Sequence, residues 1–371
     1  MGSERPYAKS QPLQIEELEL DRPGEGEVLV RIRAAGLCHS DLSVIDGKRP
    51  RPLPIVVGHE AAGEVVEVGP GVSDLRPGDR VISTFVPSCG RCAPCAAGRP
   101  ALCEPAFAAN TEGTLLSGAR RLRDSRGAVH HFLGVSAFAE YATVARNSLV
   151  RVDRSLPFDL AAVFGCAVIT GVGAVVNTAQ MPPGSVVAVI GLGGVGLAAL
   201  LGARRLEART ICAVDFSDEK LAMARALGAT HTVNARDEKS LDAIRDATGG
   251  GAQYVFEMAG SVPALEMAYR VTRRGGTTVT AGLPDLQARI SIQPSRLVTE
   301  ERCIRGSFMG SCVPERDIPR FIDWFRSGTL PVDRLLAERV SLAELNAGFD
   351  RLADGRTTRQ LLMLGTGPQA V

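Results

Sequence analysis

The spacing of hydrophobic positions changes along this chain, and the change divides it. In the first third, apolar residues alternate with polar ones in short runs, Val28-Leu-Val-Arg-Ile-Arg33 and Gly63-Glu-Val-Val-Glu-Val68. Pro77-Gly78-Asp79 then turns the chain into Arg80-Val-Ile-Ser83. A period of two buries one face of a segment and wets the other, so these runs predict half-buried strands in a small, mostly antiparallel, barrel-like domain. From Gly184 the runs become wholly apolar and alternate with helical patterns. Val186-Val-Ala-Val-Ile190 predicts a buried strand, 196–206 a helix, Thr210-Ile-Cys-Ala-Val214 a strand, and 217–227 a helix capped by Ser217. Tyr254-Val-Phe256 and Thr277-Thr-Val-Thr280 extend the series. Strand and helix in alternation imply an α/β unit with a doubly wound parallel sheet. Helical patterns return at 318–325 and 342–352, before a strand-like Gln360-Leu-Leu-Met-Leu364.

A chain of 371 residues exceeds what one hydrophobic core usually organises, which agrees with two domains. No charged residue occurs from Leu160 to Ala203, a length that would accommodate membrane spans. Pro182-Pro183-Gly184 breaks the segment, glycines recur between Gly191 and Gly202, and no aromatic belt flanks it, so it is read as protein interior. A net charge of +1 argues against a polyanion-binding surface, and the basic run Arg120-Arg121-Leu122-Arg123 is read as a solvated loop. Neither nucleic acid nor membrane is an expected partner. The first ten residues are polar and lack the apolar stretch of a secretory signal, which gives the expectation of a cytoplasmic protein. In that setting nine cysteines are better read as metal ligands than as disulfides.

Gly191-Leu-Gly193-Gly194-Val195-Gly196 follows an apolar strand and opens a helix, the context in which G-x-G-x-x-G signals a dinucleotide. The first glycine allows the tight turn, the second lets the backbone approach a pyrophosphate, and the third lets helix and strand pack closely; the helix start favours phosphate charge. Asp215 ends the next strand, nineteen positions beyond Gly196, where a carboxylate accepts ribose hydroxyls and repels a 2′-phosphate. The expected cofactor is therefore NAD, not NADP.

Cys89, Cys92, Cys95 and Cys103 fall within one loop, 89–103, at spacings suited to a closed tetrahedral zinc site that orders the loop. An iron–sulfur cluster is the rival for such a set. A second set is dispersed: Cys38-His39-Ser40-Asp41, Gly58-His59-Glu60, and Gly165-Cys166. Taken singly, these residues carry little information.

Together with the glycine loop and the four-cysteine loop, they closely resemble the zinc-containing alcohol dehydrogenases of the medium-chain dehydrogenase/reductase superfamily, over essentially the whole chain. The resemblance implies a GroES-like, mostly-β catalytic domain (1–167 and 311–371) and a Rossmann NAD-binding domain (168–310). It implies two zinc ions per chain, the catalytic one bound by Cys38, His59 and Cys166, with Glu60 as its acidic neighbour and Asp41 orienting the histidine. Ser40 resembles the hydroxyl that takes the alcohol proton. The next relay position, a histidine in many relatives, is Ser43 here. His39 and Arg359 resemble pyrophosphate contacts, Lys220 a residue beside the adenosine ribose, and Thr170 and Val195 neighbours of the nicotinamide; Gly194 belongs to the phosphate turn. Phe85, Phe132, Leu133 and Leu283 resemble the lining of an apolar substrate pocket.

The activity so implied is reversible hydride transfer between a primary or secondary alcohol and NAD, giving an aldehyde or ketone, in a homodimer. A glutathione- or mycothiol-linked formaldehyde dehydrogenase shares every one of these motifs. A non-enzymatic nucleotide-binding relative would be expected to lose zinc ligands, and all seven are retained.

Overall fold

Val186–Ile190 is buried at every position, as a strand covered on both faces must be. It lies at the centre of a six-stranded sheet, flanked by Thr210–Asp215 and Ala252–Glu257. His231–Asn234 is one edge; Thr272–Thr280 and then Cys303–Gly306 lead to the other, and all neighbours run parallel. Such connections need crossovers, and the helices Gly194–Arg205, Asp218–Leu227, Ser240–Ala247 and Val262–Val271 lie between successive strands. Ser217 caps its helix by accepting the Lys220 backbone N–H.

The computed structural model describes residues 2–365. Residue 1 and residues 366–371, which form the outer limits of the expected catalytic domain, lie outside them. The chain separates into two compact units, and the parallel sheet belongs to the unit built from residues 167–312 and 320–335.

The other unit holds the rest of the described chain. Its sheet runs Glu338–Val340, Gln360–Met363, Glu27–Gly36, Ala61–Val68, Arg80–Ser83 and Leu149–Val152, with Tyr141–Ala145 paired onto Glu27–Gly36. All of its pairings are antiparallel except the first. Val28, Val30 and Ile32 point from one face into a core with Leu37, Phe138 and Phe349. The mostly antiparallel domain and the doubly wound sheet expected from the patterning are both present.

One expectation is corrected and another is borne out. Arg120, Arg121 and Arg123 do not make a solvated loop. Leu122–Asp124 is a strand of a small sheet, and Arg121 and Arg123 pair with Glu27 and Asp21 while Arg120 donates to His130 Nδ1. The uncharged segment opens with one long helix, Phe158–Thr178, before the Val186–Ile190 strand. By length and composition that helix would cross a membrane, but 83% of its apolar window is buried inside the protein, as in a core helix.

Candidate active site and metal centres

Three stretches of one unit converge on a buried point. The strand Glu27–Gly36 ends two residues before Cys38, which caps the short helix His39–Ile45. His59 follows Gly58, whose φ of +94° and contact with the Phe138 backbone exclude a side chain. Cys166 lies in a widened turn of the long helix, Phe164–Val168, the kind of helical irregularity that recurs at functional sites. Gly165 lets this turn close on the barrel: a Cβ there would stand 2.2 Å from the Ser83 carbonyl oxygen.

The Cys38 and Cys166 sulfurs and a ring nitrogen of His59 lie within 4.8 Å of one another, all buried. Cys166 Sγ is 3.4 Å from His59 Nε2. Ligands on one tetrahedral zinc, with Zn–S near ~2.3 Å and Zn–N near ~2.05 Å, would stand about 3.5 Å apart, so the donor set fits zinc in both chemistry and spacing. Asp41 ties the loops together. Its Oδ2 accepts the Cys38 N–H (3.2 Å), and its Oδ1 accepts the Gly58 N–H (2.9 Å) and faces His59 Nδ1 at 3.1 Å. One buried carboxylate thus fixes two ligand loops and turns Nε2 toward the sulfurs.

The electrostatics suit a cation. Contact with Cys166 and His59 holds the Cys38 thiol well below its ordinary pKa, despite burial. Cys166 is held well above its own by Cys38 and burial. Burial lowers His59, but Asp41 outweighs it and the net shift is upward.

Glu60 is not part of the converging trio. Its Oε2 is taken by Arg359, while Oε1 is buried with no hydrogen-bond partner among the described residues. Burial pushes its carboxyl up to about 7 against the opposing charge of Arg359. Arg359 is itself buried and donates to the Leu37 carbonyl, so the structure finds its guanidinium engaged beside Cys38. Ser40 Oγ lies 3.9 Å from Cys38 Sγ. Ser43 Oγ donates to the His39 carbonyl at 2.7 Å, within its own helix, and His39 is exposed at the helix start. Phe85 and Phe132 pack edge-on against the His59 ring, each with a centroid separation of 5.6 Å. Leu133, with φ +51°, packs against the hydrophobic core of the same unit. Leu283 belongs to the other unit, where it is 49% exposed.

The sulfurs of Cys89, Cys92, Cys95 and Cys103 also lie within 4.8 Å of one another. A tetrahedral zinc would set them about 3.8 Å apart, whereas a multi-iron cluster would hold them wider. Backbone N–H groups already point at the sulfurs, from Cys92 to Cys89 (3.3 Å) and from Cys89 to Cys103 (3.2 Å). The Arg91 N–H, with that of Cys92, brings Cys89 down to about 6, while burial raises Cys95 to about 12.

In the parallel-sheet unit, Gly191 has φ +89°, and a Cβ on Gly196 would stand 1.8 Å from the Gly191 oxygen. A Cβ on Gly193 would meet nothing within 4 Å. Packing therefore explains two of the glycines but not Gly193, which leaves open the space a pyrophosphate needs. This is the fit expected of a dinucleotide. Gly194 is buried and Val195 half-buried in the first turn of the helix. Asp215 accepts the Leu192 N–H at 2.7 Å and the Ser217 N–H at 3.0 Å, so its carboxylate also braces the loop. Lys220 is half-buried in the first turn of the next helix, and Thr170 is buried with a hydroxyl that has no partner among the described residues.

Sequence reasoning passed over Glu257. This buried carboxylate accepts the Ala259 and Gly260 N–H groups and the Thr280 hydroxyl. It braces the turn that Gly191 abuts, since a Cβ on Gly191 would lie 2.7 Å from the Ala259 nitrogen. The available signal was a carboxylate ending an apolar strand, the same position that Asp215 occupies on its own strand.

Known proteins match along the whole chain. Residues 24–154 match the alcohol dehydrogenase GroES-like domain, and 194–327 match the zinc-binding dehydrogenase family. The chain is 36% identical over 362 residues to the S-(hydroxymethyl)glutathione dehydrogenase of Paracoccus denitrificans, covering 95% of this chain and 96% of that one. It superposes on an alcohol dehydrogenase zinc-binding domain protein from Burkholderia ambifaria with a TM-score of 0.90, at 38% identity and 95% coverage of each chain. The benzyl alcohol dehydrogenase of Acinetobacter calcoaceticus also gives 0.90, at 33% identity, covering 95% of this chain and 96% of that one. The chain belongs to the zinc-containing alcohol dehydrogenases of the medium-chain dehydrogenase/reductase superfamily. It is an oxidoreductase of the zinc alcohol dehydrogenase type, acting on small molecules.

Proposed function

We propose that this protein is an NAD-dependent alcohol dehydrogenase that interconverts a primary or secondary alcohol with its aldehyde or ketone. The observation that carries the reading is the buried meeting of Cys38, His59 and Cys166, with Asp41 behind the histidine. A zinc ion held by these three residues would supply Lewis-acid polarisation of the substrate oxygen, and bound NAD would take up the hydride.

The remaining chemistry falls to the chain's own groups. Asp41 keeps His59 Nδ1 protonated and Nε2 available as a ligand. Ser40 Oγ, beside Cys38, takes the alcohol proton. Ser43 Oγ is committed to the His39 carbonyl, so the proton leaves Ser40 through solvent and not along the helix. Phe85 and Phe132 exclude water from the ligand histidine and give the substrate an apolar wall. Thr170 and Val195 border the nicotinamide, the 191–196 loop holds the pyrophosphate, and Asp215 takes the ribose hydroxyls. The proposal assigns catalysis to the mostly antiparallel unit and NAD binding to the parallel-sheet unit, which takes in residues 320–335 as well as the expected 168–310, in a cytoplasmic homodimer. The Cys89–Cys103 set holds a second zinc that orders its loop.

A panel of alcohols with NAD and NADP, followed by absorbance of the reduced nicotinamide, tests this reading. The native protein is expected to prefer NAD. Asp215→Asn keeps one acceptor oxygen for the loop while removing the negative charge, and it is expected to shift the ratio of NAD to NADP efficiency toward NADP by about tenfold. An unchanged ratio removes Asp215 from ribose recognition. Activity on S-hydroxymethyl thiols alone would favour the thiol-adduct activity named for the Paracoccus relative.

A further inference from the structure

We propose that Asp350 is a positioning residue for the metal trio, tying residues 3–13 as a strap between the helix His39–Ile45, which Cys38 caps, and the helix Leu345–Ala353; the inference rests on the zinc reading of that site. All of these residues belong to the mostly antiparallel unit. The strap meets the first helix at its far end, where the Ser3 N–H donates to the Ile45 carbonyl at 3.0 Å. Tyr7 is buried in one hydrophobic cluster with Leu42 and Ile45 of that helix and with Phe349 and Leu352 of the other. A seven-residue helix is not stable on its own, so its position follows from what packs on it.

Asp350 closes the strap. Its Oδ1 accepts the Tyr7 N–H and its Oδ2 the Ala8 N–H, both at 2.9 Å, which serves the first turn of the short helix Tyr7–Ser10. Arg5 adds a bond from Nε to Asp350 Oδ1 at 3.3 Å and reaches Asp354 at 2.6 Å. Burial raises the Asp350 carboxyl, but the Ala8 and Tyr7 N–H groups and Arg5 outweigh it, and the net shift is downward. One turn earlier, Asn346 Oδ1 accepts the Leu13 N–H at 3.2 Å, while its Nδ2 donates to the Leu13 carbonyl at 2.8 Å. An irregular segment of this kind frays unless tied down, and here the ties run to two helices that bear on the trio.

The helix that carries Asp350 also bears on the step from Leu37 to Cys38. A Cβ on Gly348 would stand 2.9 Å from Leu37 Cδ2, so the helix lies directly on the residue before the ligand. Gln360 fastens this contact. Its side chain donates to the Gly348 carbonyl at 2.9 Å and accepts from Arg351 Nε at 3.0 Å, and its own carbonyl accepts the Leu37 N–H at 3.0 Å. The segment 37–45 is therefore held at Leu37 by the helix and at Ile45 by the strap, and Asp350 joins the two holds. Without Asp350 the segment opens locally more often, and the metal site opens with it.

The test follows zinc release from the full, zinc-loaded chain to a colorimetric chelator, beside thermal unfolding. His59→Ala, which removes a ligand of the trio, identifies the trio's phase, and the four-cysteine zinc is the internal reference. In Asp350→Ala the trio's zinc is expected to leave about tenfold faster with the reference phase unchanged. Asp350→Asn, which keeps one acceptor oxygen, is expected to fall between. A trio phase unchanged in the folded variants, or an equal acceleration of both phases, overturns the proposal, because a merely structural contact lowers the unfolding temperature without choosing between the two metals. If D350A does not fold, D350N decides by the same criteria. A native protein without a trio phase overturns the proposal outright. Alcohol oxidation is read separately: a native protein that holds the trio's zinc but oxidises no alcohol loses the dehydrogenase reading, while the release rates still judge Asp350.

Discussion

Replacing His59 by alanine is expected to lower alcohol-dependent reduction of NAD by about a thousandfold or more, because Lewis-acid polarisation is worth several kcal/mol and each ~1.4 kcal/mol is a factor of ten. His59 supplies the only nitrogen of the trio, and its ring is held on both sides, by Asp41 at Nδ1 and by the edge-on Phe85 and Phe132 rings. Loss of the imidazole leaves two sulfurs, which do not make a stable zinc site alone. The fold is expected to persist. Asp41 keeps the Cys38 and Gly58 N–H groups, and the four-cysteine loop lies elsewhere in the chain. Steady-state rates, with circular dichroism to verify folding, check this. A folded His59→Ala variant that retains more than a tenth of the native rate would exclude metal-assisted alcohol oxidation at this trio.

Gly193→Val is expected to weaken NAD binding by about a hundredfold, the loss of roughly 2.7 kcal/mol of phosphate contact. The position separates ligand binding from folding. Gly193 has φ −73° and ψ −173°, an extended conformation that valine adopts, and a Cβ there meets no protein atom within 4 Å. The free protein should tolerate the side chain, which would occupy the space where a pyrophosphate approaches the helix start. Gly196 provides the contrast: a Cβ 1.8 Å from the Gly191 oxygen breaks the turn itself, so Gly196→Ala is expected to lose stability. Calorimetric titration of Gly193→Val with NAD, beside thermal unfolding, checks the pair. Native affinity in this variant would mean that phosphate does not lie on this loop.

Much of the architecture was legible because burial is written in composition. Val186–Ile190, Thr210–Asp215 and Ala252–Glu257 are apolar on both faces, and only a covered parallel strand accounts for that. His231–Asn234 and Cys303–Gly306 were not legible. They are the sheet edges, four residues each and half polar, and their pairing is imposed by neighbours. The four-cysteine loop announced itself by spacing. The trio did not: Cys166 lies 107 positions from His59, on a widened helical turn that no local pattern encodes. Only resemblance joined those residues. The pairing of Glu60 with Arg359, 299 positions apart, is likewise a property of tertiary contact.

The central claim is that Cys38, His59 and Cys166 hold one metal ion in a site separate from the four-cysteine loop. Zinc quantification of the purified protein, combined with X-ray absorption at the zinc edge, tests it most directly. The account predicts about two zinc ions per chain, with sulfur in the majority and a nitrogen contribution from a single histidine. About one zinc per chain, surrounded by sulfur alone, would contradict it.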